Sequence, residues 1–96
     1  MKPSEALTIH REAIARIAAE HHVRNVRVFG SVMTQEDEEE SDLDLLVDPT
    51  DDTSLMDIGA IRAELRQLLG IRVDVLTPNA LPESFRDQVL KEASPL

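Results

Sequence analysis

The sequence predicts an α/β (α+β) fold, in which a small mixed β-sheet of three or more strands is flanked by helices. Three observations lead to this prediction. Some segments carry apolar residues three and four positions apart, as amphipathic helices do. Between them lie short runs rich in Val, Ile and Leu, which favour strands. The length of 96 residues fits one small core, so we expect residues 1–96 to form a single domain.

The first helix is predicted from Ser4 to His22. Serine is a residue type that caps helices, and the apolar side chains behind it repeat at helical spacing over about five turns. A strand is predicted over residues 23–29, where β-branched residues alternate with polar ones. Gly30 and Ser31 interrupt this alternation and predict a turn.

A second strand and a second helix follow an acidic segment. Residues 43–47 predict the strand, which Pro49 closes. Thr53 or Ser54 can cap the helix, whose Leu and Ile side chains repeat with helical period up to Gly70.

The last two predicted elements are a third strand over residues 71–76 and a helix that follows Pro82. Phe85 and Val89 fall on one side of this helix, and exposure of that side would indicate a partner interface. The predicted order is therefore α-β-(acidic loop)-β-α-β-α.

The net charge of -9 is a local feature of the chain. Ten of its 19 acidic residues lie between Glu36 and Asp52, a segment without a basic residue. Acidic surface repels phosphate backbones, and the chain has only two aromatic residues, so no direct nucleic-acid binding is expected. The run from Glu36 to Glu40 is interpreted as a solvated, mobile loop; its alternative role is to dock onto a basic partner.

The composition also bears on localisation. The chain has no cysteine, which excludes disulfides, thiolate metal sites and cysteine nucleophiles and suits a reducing compartment. No apolar run reaches the ~20 residues of a transmembrane helix, and the first residues do not resemble a signal peptide. We therefore expect a cytoplasmic protein without membrane contact.

Three aspartates are the candidate catalytic residues. Strand side chains alternate between faces, so Asp42 and Asp44 share one face, and Asp74 in the third strand can join them if the two strands are neighbours. Clustered carboxylates repel one another and need a cation to offset their charge. A site of oxygen ligands without Cys or nearby His suits Mg²⁺, and carboxylates on rigid strands suit two-metal phosphoryl transfer.

The turn at Gly30 and Ser31 is the candidate phosphate-binding element. A glycine at the end of a strand lets backbone N–H groups approach an anion, and a serine hydroxyl can add a hydrogen bond. The alternative interpretation is a plain turn, because most Gly-Ser pairs after a strand are no more than that.

The combined spacing is more specific than either motif. Gly30-Ser31 is followed after ten residues by Asp42-Leu43-Asp44, and about thirty residues later by Arg72-Val73-Asp74. This arrangement resembles the Gly-Ser-x10-Asp-x-Asp signature of the nucleotidyltransferase superfamily related to DNA polymerase beta. In size the chain is similar to the minimal nucleotidyltransferases (MNT), many of which are antitoxins of HEPN toxins.

The resemblance implies a nucleotidyltransferase-like fold and a role for each motif residue. Gly30 and Ser31 would bind the phosphates of ATP, Asp42 and Asp44 would hold two Mg²⁺ ions, and Asp74 would be the third carboxylate, a metal ligand that helps to activate the incoming hydroxyl. The implied function is transfer of AMP from ATP to a hydroxyl of a cognate HEPN-type toxin, with tyrosine as the expected acceptor. The alternative is a catalytically degenerate MNT that inhibits a basic toxin by binding alone.

The sequence departs from the family pattern after the Gly-Ser pair. Minimal relatives commonly have a basic residue there, as in Gly-Ser-x-Ala-Arg-Gly, whereas residues 32–40 contain none. Arg27, Arg72 or the partner could supply a basic contact to the phosphates instead.

Overall fold

The computed structural model describes residues 1–96 and has three α-helices and four strands. In chain order they are α1 (Pro3–Glu20), β1 (Val23–Phe29), β2 (Leu43–Pro49), α2 (Leu55–Leu69), β3 (Val73–Leu76), α3 (Glu83–Glu92) and β4 (Ser94–Pro95). Short 3-10 turns cover Gly30–Val32 and Pro78–Ala80. The predicted α/β fold, a small mixed sheet flanked by helices, is confirmed. None of the helices has the length and apolar character needed to cross a membrane.

The sheet is mixed, with strand order β3-β2-β1-β4. β1 runs antiparallel to β2 and β4, while β2 and β3 are parallel and α2 connects them. As a consequence, the end of β1 lies beside the starts of β2 and β3. The Gly-Ser turn and the aspartates therefore meet at the same end of these strands.

The main core lies between one face of the sheet and the helices α1 and α2. Leu43, Leu45 and Val47 alternate along β2 and are fully buried, as expected for a strand that turns one face to a core. Ile14 of α1 and Leu65 of α2 pack into the same cluster. The intervening positions of β2 face the other way, and these include Asp44 and Leu46, which is also buried.

The first helix differs from its prediction at both ends. It begins at Pro3, after Lys2, so Ser4 lies within its first turn and does not cap it. Proline suits this first position because it has no N–H to leave unpaired. The helix ends at Glu20, and His21 and His22 follow it and contact Asp57 of α2.

The second helix follows its prediction closely. The Asp57 N–H donates to Ser54 Oγ at 3.2 Å, and Ser54 N–H donates to the Asp57 carboxylate at 2.9 Å, which together form a capping box. Gly70 ends the helix in the left-handed conformation, with φ of +68°. The third strand begins at Val73, two residues later than predicted.

The acidic loop from Glu36 to Glu40 is solvated, as predicted, but it is tied to the start of α1. The Ser4 N–H donates to Asp37 Oδ2 at 2.9 Å, and the ammonium group of Met1 lies 2.6 Å from Glu39 Oε2. The hydrogen bond from the Ser4 backbone lowers the pKa of Asp37. Two of the five acidic side chains are therefore engaged within the chain.

Candidate active site

The sheet register brings two of the three predicted carboxylates together. Asp44 and Asp74 are direct partners in the parallel pair of β2 and β3, so their side chains leave the same face of the sheet side by side. Asp42 lies one residue before β2 begins. Phe29, the last residue of β1, is the register partner of Asp44 on its other side.

The outer carboxylates are each paired with an arginine, and the central one is not. Arg72 Nε lies 3.4 Å from Asp42 Oδ1, and Arg66 Nη2 lies 3.4 Å from Asp74 Oδ1. Arg66 also donates through Nε to the Val73 carbonyl at 3.0 Å. Arg66 was not among the residues predicted for this site, although its position four residues before Gly70, in the last turn of α2, indicates that it lies near the start of β3.

Asp44 is the most perturbed carboxylate of the site. Burial, and then the neighbouring charges of Asp74 and Asp42, raise its pKa to about 6. All three causes disfavour the ionised form, and no basic side chain forms an ion pair with it. In the protein without ligands, the ionised Asp44 carboxylate therefore opposes folding.

Replacing Asp44 by asparagine should therefore stabilise the ligand-free protein. The pKa of Asp44 is 3.8 in the unfolded chain and about 6 in the folded protein. Its ionisation therefore begins to destabilise the fold as the pH rises above 3.8, and the loss of stability is complete above pH 6. Since Asp44 is only half-buried, we expect a gain of about 1–2 kcal/mol at neutral pH after allowing for solvent screening. The gain should vanish near pH 4. Urea unfolding at both pH values measures it.

Asp51→Asn is the matched control for this measurement, because Asp51 is exposed in the turn after β2. Its effect should be small at both pH values. If Asp44→Asn destabilised the protein at neutral pH, the inference that the ionised, unpaired Asp44 carboxylate opposes folding would be wrong.

The Gly-Ser turn packs directly against Asp44. Gly30 has a φ of +79°, a conformation that favours glycine. A Cβ at this position would overlap Asp44 Oδ2 and lie 3.3 Å from Asp44 Cγ, so only glycine leaves room for the carboxylate. Ser31 follows in the 3-10 turn, and its carbonyl accepts a hydrogen bond from the Glu36 N–H at 2.9 Å. The structure thus brings both predicted elements into contact.

The potential ligand atoms at this site are of the type that a hard cation prefers. Asp42, Asp44 and Asp74 offer only carboxylate oxygens, as Mg²⁺ prefers, and the uncompensated charge of Asp44 would be offset by a cation. In their present positions, however, no three His, Asp or Glu side chains are grouped closely enough to hold a metal ion. The arginine contacts of Asp42 and Asp74 would have to be exchanged for such an ion.

The two arginines considered as phosphate contacts have different environments. Arg27 donates to Asp48 Oδ1 at 2.6 Å, and only 14% of its side chain is exposed. Arg72 is 77% exposed and lines an open cleft together with Arg66, Glu39 and Glu40. Arg72 is therefore available to a ligand, whereas Arg27 is committed to Asp48.

Comparison with known families gives a match over most of the chain. The family model described as polymerase beta, nucleotidyltransferase, matches residues 12–96. MJ0435 of Methanocaldococcus jannaschii, described as a candidate protein adenylyltransferase, is 37% identical over 83 residues, covering 86% of this chain and 89% of the relative. The protein adenylyltransferase MntA of Thermococcus cleftensis is 35% identical over 86 residues, covering 90% and 84% of the two chains.

Solved structures share the fold. One described as a candidate minimal nucleotidyltransferase is 44% identical, with a TM-score of 0.85, and the match covers 97% of this chain and 95% of the other. A chain of a toxin–antitoxin crystal structure with AMP-PNP matches with a TM-score of 0.73, covering 88% of this chain and 69% of the other. At 17% identity this second similarity concerns the fold alone.

Proposed function

The chain belongs to the polymerase beta nucleotidyltransferase family, and from this premise we propose that it transfers AMP from ATP to a hydroxyl of a partner protein. The partner we propose is a cognate toxin of the HEPN type with a tyrosine acceptor, which the transfer would neutralise. Relatives that are more than 30% identical carry the name protein adenylyltransferase, which supports a protein as the acceptor.

One observation carries the proposal. Asp44 lies between Asp74, its register partner in β3, and Gly30, whose missing side chain makes room for the Asp44 carboxylate. A pair of carboxylates beside a glycine turn can hold a phosphate group and an attacking hydroxyl next to each other.

Each residue has a distinct part in the proposed reaction. The backbone at Gly30 and the hydroxyl of Ser31 would hold the β- and γ-phosphates of ATP. Asp42, Asp44 and Asp74 would hold two Mg²⁺ ions, which, when bound, would neutralise charge on the triphosphate. Asp74 would also accept a hydrogen bond from the acceptor hydroxyl and orient it toward the α-phosphate. The new bond would join the acceptor oxygen to the α-phosphorus, while the bond from the α-phosphorus to the oxygen that bridges to the β-phosphate breaks and pyrophosphate leaves. The hydroxyl proton would pass to the Asp74 carboxylate.

Intact mass spectrometry of the partner tests the proposal. The partner is incubated with this protein, ATP and Mg²⁺, and a parallel sample omits ATP. We expect the partner to gain the mass of one AMP unit or a multiple of it, with equimolar release of pyrophosphate. An unchanged partner mass in a stable complex would refute transfer.

That negative outcome would support a second candidate function, inhibition by binding alone. Two observations favour it: residues 32–40 lack a basic residue, and Glu36, Glu38 and Glu40 are exposed on the loop. A basic toxin could dock on this surface without chemistry.

We further propose that Arg72 supplies the phosphate contact that the Gly-Ser loop lacks. The arginine of its pair with Asp42 is exposed and the aspartate is partly exposed. Surface pairs contribute only ~0–1 kcal/mol, so Arg72 can exchange this contact for a phosphate. Arg72→Ala should raise the KM for ATP about tenfold with a smaller change in kcat, measured by pyrophosphate release.

Arg24→Ala is the control for Arg72→Ala. Arg24 is also exposed, but it pairs in register with Asp48 near the opposite end of the sheet. Its replacement should leave the KM for ATP unchanged. An equal effect of both substitutions would show that Arg72 acts only through the overall charge.

A further inference from the structure

A second surface adjoins the Gly-Ser turn, on the side of α3. A groove of about 310 Å³ lies between this turn and α3, with Gly30 in its wall. The chain has two aromatic residues in all, Phe29 and Phe85, and both line this groove together with Met33 and Val89. An apolar groove that shares Gly30 with the carboxylate site is therefore built into the fold.

The groove stays open because both ends of α3 are attached to other parts of the chain. Arg86 Nε donates to the Pro78 carbonyl at 2.9 Å, and Arg86 Nη2 donates to the Leu81 carbonyl at 2.9 Å. At its other end α3 leads into β4, where Ser94 pairs with Val28 of β1. These attachments fix both ends of the helix, but no residue of α3 is buried. Its apolar side is thus left without a partner within the chain.

The size of this uncovered surface favours a protein ligand over a nucleobase. Phe85 is 45% exposed in the groove, and Leu90, which does not line the groove, is 37% exposed on the same helix. A single planar base could fill the groove but would leave Leu90 in water. A polypeptide segment can cover both, as is usual where a helix presents apolar residues to a partner.

The charge around the groove indicates the character of that segment. Glu92 is the one charged residue in its lining. The opposite wall continues from Thr34 into the acidic loop, where Glu36, Glu38 and Glu40 are exposed. Of the two basic residues in α3, Arg86 is bonded to backbone carbonyls and only Lys91 is free of such contacts. A positively charged segment complements this surface.

We propose that the groove between α3 and the Gly-Ser turn binds an aromatic side chain of a positively charged segment of the acceptor protein. This inference rests on the proposed function, because it assumes that the acceptor is a protein. The bound segment would enter beside Gly30 and present its hydroxyl to the adjacent carboxylates. The groove thereby selects acceptors by an aromatic group flanked by basic residues.

NMR titration of the whole chain with three tripeptides tests the groove without ATP. The probes are lysine-tyrosine-lysine, lysine-alanine-lysine and glutamate-tyrosine-glutamate, added up to about 10 mM because a single anchor gives millimolar affinity. We expect the first to shift the methyl signals of Met33, Thr34 and Val89. The other two, which lack the aromatic ring or the positive charge, should bind at least threefold more weakly.

Variants of the protein complete the test. Phe85→Ala should weaken binding of the first peptide about fivefold or more and should fold normally, because Phe85 is half-exposed. Leu55→Ala is the control, because Leu55 is 91% exposed at the start of α2 and does not line the groove. Equal binding by Phe85→Ala and the unmodified chain would overturn the proposal.

Two further outcomes would also overturn the groove assignment. The first is an absence of methyl shifts at the highest peptide concentration. The second is a stronger shift of the same methyl groups by adenosine, which would make the groove a nucleoside site. Because the titration contains no ATP, a failure of AMP transfer does not affect it. Intact AMP transfer together with absent shifts would refute the groove alone.

Discussion

Replacing Asp42 and Asp44 together by asparagine is expected to reduce AMP transfer to the partner by about 10³-fold or more. Asparagine keeps the size of each side chain but removes the two negative charges that would hold Mg²⁺. The loss should appear in kcat, measured as the rate at which the partner gains the mass of AMP. A double variant that labelled the partner at the unmodified rate would refute the assignment of these carboxylates.

This loss can be separated from unfolding. Asp44→Asn is expected to stabilise the chain, and the partly exposed pair of Asp42 with Arg72 contributes little. The double variant should therefore unfold at a urea concentration no lower than that of the unmodified protein. An inactive but more stable variant would indicate that the charge of the site lowers the stability of the protein but is required for activity. Asp51→Asn, in the turn after β2, serves as the active control.

The second large effect is expected from Gly30→Ala. Its Cβ would overlap the Asp44 carboxylate, and the backbone would be held at a φ of +79°, which costs about 1–3 kcal/mol in a residue with a side chain. Either the turn or Asp44 must then move. Since a displacement of about 1 Å at a reacting centre can cost 10²-fold, we expect transfer to fall by about that factor.

Gly70→Ala provides the matched control for the backbone part of this effect. Gly70 also has a positive φ, of +68°, but no atom lies within 4 Å of the position that its Cβ would take. Gly70→Ala should therefore lower stability by a comparable amount and leave kcat unchanged. If both variants lost activity equally, the contact of Gly30 with Asp44 would have no special role.

Much of this site could be predicted from the sequence because strands alternate strictly. The period of two places Asp42 and Asp44 on the face opposite Leu43 and Leu45, and the structure follows it for Asp44, whereas Asp42 lies one residue before the strand. Whether Asp74 joins them depends on which strands are neighbours. That is a property of the whole fold, and the register between β2 and β3 settles it.

The features that the sequence did not predict depend on tertiary contacts. The strand β4 consists of Ser94 and Pro95, which have little strand propensity, and it forms because β1 offers a free edge. Arg66 lies only eight residues from Asp74, but the helical period of α2 indicates which side faces the core and not what its polar side chains contact. Asp37 likewise accepts a hydrogen bond from the Ser4 N–H, 33 residues away, in the helix turn that Ser4 was predicted to cap.

The parallel pairing of β2 and β3 also determines when the site appears during folding. Asp44 and Asp74 are adjacent only after the connecting helix α2 has docked, and a parallel crossover of this kind requires a long loop to close. A partly folded chain therefore has no carboxylate pair. Substitutions in the core under α2, such as Leu65→Ala, would lower the fraction of competent molecules and leave the turnover of each folded molecule intact.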